Sequence, residues 1–328
     1  MRRALELLSR LGDGTFCPGR QLADEFGVSR AAIWNLIRTL RSIGVEIDAD
    51  RTRGYRVAGG YQALSAEGIM AAIATARIPE LPPKIHVEPV CTSTNTELLR
   101  LSERQSIHQT AFLADYQSAG RGRRGDRWVS PPGSGLYCSL GWHFESIPAT
   151  FSALSLVVGL VIAEALESLA AIQVNLKWPN DLIARGAKLG GILIEMRSQV
   201  GGATVAVIGF GINVRNIKTV SGEIDQRAID LSELAPTVVL DRAQVAACVL
   251  AGLCPALKIF ERDGFEVFAE RWSKRDAYAN RAVVLALPEQ DIRGIARGVD
   301  SSGALQIEDQ EGRCRSYLSG TLRADQQR

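Results

Sequence analysis

The chain has 328 residues, enough for two or three domains. Apolar residues make up 46% and charged residues 23%, a balance that excludes fibrous and disordered classes and supplies a real core. A formal net charge of +2 does not announce nucleic acid by itself, so any such case rests on where the charges stand.

Met1-Arg2-Arg3-Ala4-Leu5-Glu6 enters an amphipathic helix directly, without the apolar core of a signal peptide, and points to the cytoplasm. Ala4, Leu5, Leu7, Leu8 and Leu11 recur at helical spacing until Gly12-Asp13-Gly14 ends the run. A second short helix is expected from Pro18 to Phe26. Gly27-Val28 then turns the chain, and Ser29 stands where an N-cap is wanted before Arg30 to Ser42. This is helix-turn-helix spacing. On the third helix Ile33, Leu36 and Leu40 form one face, and Arg30, Trp34 and Arg38 form another that fits a major groove. A plain helical bundle with a solvated basic face has the same pattern. Val45-Glu46-Ile47 followed by Arg51-Thr52-Arg53-Gly54-Tyr55-Arg56-Val57 reads as a hairpin carrying three arginines, and so as the wing of a winged helix-turn-helix with phosphate contacts.

From about Leu64 strand-like and helical runs alternate. Thr110–Tyr116, Leu136–His143, Ile192–Met196 and Val205–Ile212 read as strands, and 151–170 and 242–262 as long helices. The uncharged stretch Phe151 to Ala163 is shorter than the roughly 20 residues of a membrane span and reads as a buried core helix, so no membrane partner is expected. The six cysteines, at 17, 91, 138, 248, 254 and 314, lack metal-type spacing and read as buried free thiols.

The most unusual stretch is Gly120-Arg121-Gly122-Arg123-Arg124-Gly125. Glycine lets backbone N–H groups approach an anion, and arginine supplies planar donor forks, so the loop suits two anions held together. A nucleic-acid-binding tract or a merely solvated basic loop has the same composition. Around it stand Ser93-Thr94-Asn95, Gln117, Lys177-Trp178-Pro179-Asn180-Asp181 and Lys188-Leu189-Gly190-Gly191 leading into a strand. Lys188, just before two glycines, is well placed to reach a ligand oxygen. Lys177 and Asp181 are either site residues or a salt bridge in a strand–helix turn, and Asn213 either reaches a nucleotide or closes a turn.

These motifs, with Trp128 and Gly209-Phe210-Gly211-Ile212-Asn213, make the chain resemble the bacterial biotin–protein ligases. With Ser29-Arg30-Ala31-Ala32-Ile33 and Gly54-Tyr55 it is similar to their bifunctional ligase/repressor members. Asp126 departs from the basic residue many relatives carry after the loop, and Trp34 is a bulky choice on the DNA-facing helix. The resemblance implies an α+β multidomain chain: a winged helix-turn-helix over 1–62, a mixed-sheet biotin/lipoate-ligase-like catalytic domain over 63–276 and a small SH3-like β-barrel over 277–328. It implies ATP and biotin as substrates with Mg²⁺, and no dedicated metal ligands. Arg123, Lys188, Lys177 and Asp181 would be catalytic. Ser93, Thr94 and Gln117 would hold the ureido head, and Gly190 and Gly191 would leave room for the bicyclic ring. Asn95, Gly120, Arg121, Gly122, Arg123, Lys188 and Asn213 complete the expected binding set. Ser29, Arg30, Trp34, Arg38 and Arg53 would meet operator DNA.

Further implied partners are a biotin carboxyl carrier protein and, once the adenylate is bound, a second copy of the chain. Residues 120–125 and Arg215–Asp230 are expected to order on binding. In the C-terminal barrel Arg293 and Arg297 are expected to be solvated. A ligand-sensing repressor without ligase activity, or a lipoate-type acyl transferase, are the alternatives. Intact Arg121, Arg123 and Lys188 speak against the first; the arginine-rich glycine loop and only three histidines speak against the second.

Overall fold

The computed structural model describes residues 1–76, 84–198, 204–217, 227–238 and 240–325. Helices α1 (Arg2–Arg10), α2 (Gly19–Phe26) and α3 (Arg30–Ser42) bury Leu5, Leu7, Leu8, Leu22, Ile33, Ile37 and Leu40 in a core of their own. The inward stripe of α3 runs through Ile37; Leu36 is only partly buried. Gly27 ends α2 at φ 60°, and Ser29 Oγ accepts the Ala32 N–H at 3.2 Å to start α3. Strands β1 (Ile47–Asp50) and β2 (Gly54–Val57) form the wing. Gly54, at φ 99°, has no room for a side chain: a Cβ there would lie 2.0 Å from the Cys17 carbonyl oxygen. That close approach lets Cys17 and Tyr55 exchange backbone hydrogen bonds of 2.8 and 3.0 Å, tying the wing to the α1–α2 loop.

After α4 (Ala66–Ala76) the chain builds a seven-stranded mixed sheet. Its strands are β3 (Lys84–Cys91), β4 (Thr110–Gln117), β5 (Gly135–Phe144), β6 (Asn175–Lys177), β7 (Asp181–Ala184), β8 (Ala187–Ser198) and β9 (Thr204–Asn213), in the order β3-β4-β5-β9-β8-β7-β6. Helix α5 (Thr94–Ser102) crosses between the parallel pair β3 and β4; the other pairs are antiparallel. Helices α6 (Leu154–Ala170) and α8 (Arg242–Asp263) pack on each other and share one core with the sheet. The helical run Phe151–Ala170, which ends in α6, and helix α8 are each long and apolar enough to cross a membrane, but eleven residues of α6 and twelve of α8 are buried within this fold. Between them in sequence lies the short α7 (Leu231–Leu234), capped by Asp230; α9 (Glu266–Ser273) leans on α6.

The C-terminal strands β10 (Ala282–Ala286), β11 (Asp291–Val299), β12 (Leu305–Glu308), β13 (Cys314–Tyr317) and β14 (Thr321–Ala324) form an antiparallel sheet in the order β13-β12-β11-β10-β14. Four of the five are legible as alternating runs. β14 is four residues long with only Leu322 buried, so its period-two signal is lost. Arg293 and Arg297 are ion-paired, to Asp325 and Glu308 at 3.0 and 2.8 Å, rather than simply solvated. The expectation of buried thiols needs one correction, since Cys314 is exposed and Cys248 half-buried.

Candidate functional site

The register of the sheet places Lys177 opposite Asp181, Asp181 opposite Gly191, and Gly191 opposite Gly211, one row across β6, β7, β8 and β9. Cross-strand partners share a face, so this row lays two bare glycines beside two charged side chains. Gly209, two residues before Gly211, adds a third glycine, over which Asn95 packs so closely that a Cβ would lie 2.1 Å from its Oδ1. The strip forms the floor of a cavity of about 340 Å³.

Lys177 and Asp181 flank a strand-to-strand hairpin, Trp178-Pro179-Asn180, not a strand–helix turn. Lys188 Nζ lies 2.7 Å from Asp181 Oδ1 and Lys177 Nζ lies 3.4 Å from Oδ2, all three side chains largely buried. Trp178 anchors the hairpin by donating from Nε1 to the Gly303 carbonyl at 3.2 Å.

The glycine–arginine loop closes one side. Arg121 bridges Arg127, and a short turn spans Arg123–Gly125. Arg123 reaches Asn180 Oδ1 at 3.3 Å. Its burial, and then the like charge of Arg124, hold its pKa below the ordinary arginine value, while Asp181 opposes that trend. The guanidinium is thus partly desolvated before any ligand arrives. Arg121 points elsewhere, 2.7 Å from Glu195 and 3.2 Å from Thr96 Oγ1. Arg124 crosses to the C-terminal sheet, donating to Thr321 Oγ1 at 2.8 Å.

At the N-terminus of α5 the Thr94 N–H donates to Gln117 Oε1 at 2.9 Å, and Gln117 Nε2 donates to Ser130 Oγ at 2.9 Å. The Ser139 hydroxyl lies 2.7 Å from Thr94 Oγ1 and 2.5 Å from Asn95 Oδ1. Ser93, Thr94, Asn95 and Gln117 are all buried. Preorganised donors and acceptors at one end of the cavity suit a small polar head with both functions.

Of the expected residues, Ser93, Thr94, Asn95, Gln117, Arg121, Gly122, Arg123, Lys177, Asp181, Lys188, Gly191 and Asn213 line this one cavity. Gly120 and Gly190 do not. A Cβ on Gly120 would meet the Trp128 carbonyl oxygen at 2.5 Å, and one on Gly190 would meet the Gly211 carbonyl oxygen and Leu182 at 2.7 and 2.8 Å. Both glycines serve close packing, Gly190 because its neighbour Gly191 takes the cavity face. Asn95 is held by β8, donating to the Leu193 carbonyl and to Glu195. Asn213 donates to the Lys188 and Ile229 carbonyls, which is the turn-closing alternative. Of Arg215–Asp230, residues 218–226 lie outside the described residues.

Sequence reasoning assigned no role to Trp128, Asn180, Ser139, Gly209, Gly211 or Thr321. The Trp128 ring covers Gly191 and Gly211, where a Cβ would come within 3.2 and 2.5 Å of it, and Lys188 Nζ sits 5.6 Å from its centroid. Its Nε1 is buried without a hydrogen-bond partner among the described residues. Glycines two apart in a strand were the legible signal for a bare strip; nothing marked Thr321.

On α3 Trp34 is 49% exposed, and Arg38 stacks over it with Cζ 4.7 Å from the ring centroid. Arg30 is exposed on the first turn, and the Ser29 hydroxyl is engaged as the cap. In the wing Arg53 and Arg56 lie over Phe16 at 4.1 and 4.7 Å and pair with Asp50 and Asp48. The wing is therefore less positive than its three arginines suggest.

Among family profiles, the HTH domain fits residues 3–56, the Biotin/lipoate A/B protein ligase family residues 87–213, and the Biotin protein ligase C terminal domain residues 278–321. The chain is 41% identical to the bifunctional ligase/repressor BirA of Salmonella typhimurium over 97% of its own length and 96% of the relative's. It is 40% identical to that of Escherichia coli over the same shares. It is 33% identical to the biotin–[acetyl-CoA-carboxylase] ligase of Mycobacterium tuberculosis over 66% of this chain and 80% of that one. The structure resembles the biotin protein ligase of Aquifex aeolicus in complex with biotin and ATP, with a TM-score of 0.64 and 32% identity, covering 74% of this chain and 100% of that one.

Proposed function

The chain belongs to the biotin/lipoate protein ligase family, among its bifunctional ligase/repressors, and on that premise we propose how its own residues carry both activities. It is an ATP-dependent biotin–protein ligase with a helix-turn-helix repressor domain. The observation that carries the assignment of roles is the set Arg123, Lys177, Asp181 and Lys188 beside a glycine floor.

The reaction must bring biotin's carboxylate to the α-phosphate of ATP, and two anions repel. Arg123 and Lys188 stand where that repulsion has to be screened. Fixed cations in a partly dry site are worth several kcal/mol of barrier. Attack joins the carboxylate oxygen to the α-phosphorus, pyrophosphate leaves with the bonding pair, and biotinyl-5′-AMP remains. The network Thr94–Gln117–Ser130, with Ser93 beside it, holds the ureido head; Gly191 admits the rings, while Gly209 and Gly211 let Asn95 and Trp128 lie close on the sheet. In the second step the acceptor lysine attacks the acyl carbon and AMP departs. Asp181, between two lysines, positions Lys188 and accepts the proton of the incoming amine once Lys188 has moved to the phosphate. The acceptor is the biotin carboxyl carrier protein of acetyl-CoA carboxylase. Mg²⁺ would be carried largely by the triphosphate oxygens and water, where it would screen the phosphate charge.

Operator DNA is met by Arg30, Trp34 and Arg38 on α3, with Ser29 fixing the helix start and Arg53 reaching phosphate from the wing. The adenylate acts as corepressor by favouring a homodimer whose two α3 helices occupy two half-sites. Domain boundaries near residues 62 and 276, and a cytoplasmic location with ATP and carrier at hand, complete the reading.

The test is transfer of labelled biotin to a carrier domain with ATP and Mg²⁺. The intact protein labels the carrier, and Lys188→Ala slows it by about two orders of magnitude. A folded intact protein that binds biotin yet labels nothing overturns the ligase reading in favour of a ligand-sensing repressor.

A further inference from the structure

Glu195 stands on the same face of β8 as Gly191 and Leu193, one step beyond the end of the cavity, and does not line it. Its Oε2 nevertheless accepts from two residues that do, Asn95 Nδ2 at 2.8 Å and Arg121 Nη2 at 2.7 Å. Asn95 is packed without slack. Its Nδ2 also donates to the Leu193 carbonyl at 3.1 Å, its Oδ1 lies 2.5 Å from the Ser139 hydroxyl, and the side chain lies directly over Gly209. Arg121 is the first arginine of the glycine–arginine loop, and it also donates to Thr96 Oγ1 at 3.2 Å. Both of its contacts therefore lie on β8 and α5, whereas Arg123 turns to Asn180 and Arg124 to Thr321. One carboxylate outside the cavity thus ties its polar end to the loop that closes its side.

For the stability of the fold the Arg121–Glu195 pair matters little, because Arg121 is partly exposed and water screens it. What the pair fixes is placement. Glu195 offsets the charge of Arg121 and holds it back, and Thr321 holds Arg124, so that Arg123 between them is the guanidinium that turns toward Asn180 and the lysine–aspartate cluster.

We infer that Glu195 is a positioning residue of the ligase reaction: it pins the start of the glycine–arginine loop through Arg121, keeping the loop closed over the adenylate, and it steadies the biotin end through Asn95. The inference rests on the ligase reading above. The two arms are separable by chemistry. Glu195→Gln keeps a neutral acceptor for Asn95 and removes the charge that holds Arg121; Glu195→Ala removes both.

The test uses the full chain and three measurements. The first is the rate at which labelled biotinyl-5′-AMP, formed in place, is lost during a chase with unlabelled biotin and ATP in the presence of a pyrophosphatase. The second is biotin affinity by calorimetry, and the third is the urea midpoint. Glu195→Gln should speed adenylate loss about fivefold, the effect of one charge-assisted hydrogen bond from a partly exposed donor, with biotin affinity and the urea midpoint unchanged. Glu195→Ala should speed the loss at least as much and weaken biotin binding about tenfold. Arg121→Met should match Glu195→Gln, and the double variant should lose adenylate no faster than either single one. Retention at the wild-type level in both Glu195 variants would overturn the proposal. So would a double variant whose effect is the product of the two singles, or faster loss that appears only together with a lower urea midpoint. A wild-type protein that forms no adenylate would instead overturn the ligase reading itself.

Discussion

Arg242 and Asp115 form an ion pair with both side chains only 2% exposed, Nη1 lying 2.6 Å from Oδ1. The guanidinium also donates to the Gln62 and Gly135 carbonyls, while Asp115 Oδ2 accepts from the Tyr61 hydroxyl and the Leu64 N–H. One buried pair thus joins the chain leaving the wing to β4, β5 and α8. Removing one partner of such a pair strands a charge: Arg242→Ala is expected to cost about 3–5 kcal/mol in urea unfolding. Arg242→Met combined with Asp115→Leu should recover most of it. A double variant as unstable as the single would show that the hydrogen bonds to Tyr61, Leu64, Gln62 and Gly135, not the stranded charge, carry the cost.

The stacked Trp34–Arg38 pair should set base preference, while Arg51 on the wing turn should contribute affinity without preference. In selection from randomised duplexes Arg38→Ala is expected to lose about 1–3 kcal/mol of discrimination at one base pair. Arg51→Ala should weaken all sequences alike and reduce the slope of log affinity against log salt by about 1. An unchanged preference with Arg38→Ala would remove Arg38 from base contact.

Much of this was legible in the sequence. Ser29 as cap, Gly27 as turn and the apolar stripes on α1 and α3 gave the N-terminal unit because local rules and the fold agree there. The arginine loop and the Lys-Leu-Gly-Gly strand entry marked the cavity, since charge beside glycine has no core explanation. Which glycine faces the ligand was not legible. The bulge between Leu182 and Ile183 shifts the register of β7 on β8, and register decides that Gly191 rather than Gly190 meets the cavity. Nor was the contact of Arg124 with Thr321, a non-local pair 197 residues apart. Arg121 looked equivalent to Arg123 until Glu195 claimed it.

His108 and His143 lie with ring centroids 5.7 Å apart at the end of β5 away from the cavity, with Glu261 and Lys258 nearby. Burial holds both below the ordinary histidine value of 6.5, and for His108 the neighbouring His143 adds to it. A histidine with a depressed folded pKa binds its proton more readily when unfolded. Its contribution is present above pH of about 6.5 and lost as pH falls through the lower folded value. Thermal unfolding should therefore show Tm dropping from pH 7 toward pH 5, less steeply in His108→Gln. A Tm independent of pH over that window would contradict the burial account.

A methyl group added to the cavity floor should block the ligand before it disturbs the fold. At Gly191 a Cβ meets Trp128 at 3.2 Å and Lys188 Cε at 3.4 Å, tight but tolerable. Gly191→Ala is expected to weaken biotin binding by about tenfold or more, with unfolding changed by less than about 1 kcal/mol. Calorimetric titration with biotin checks the first, urea melts the second.

The most direct test of the account is adenylate formation and retention without carrier. With ATP, Mg²⁺ and labelled biotin, the intact protein should hold close to one biotinyl-5′-AMP per chain through gel filtration. Arg123→Gly should make adenylate more slowly and release it to the medium, because the partly buried guanidinium that screens the reaction and grips its product is gone. If the intact protein forms no adenylate, or Arg123→Gly retains it as the wild type does, the cavity does not work as described.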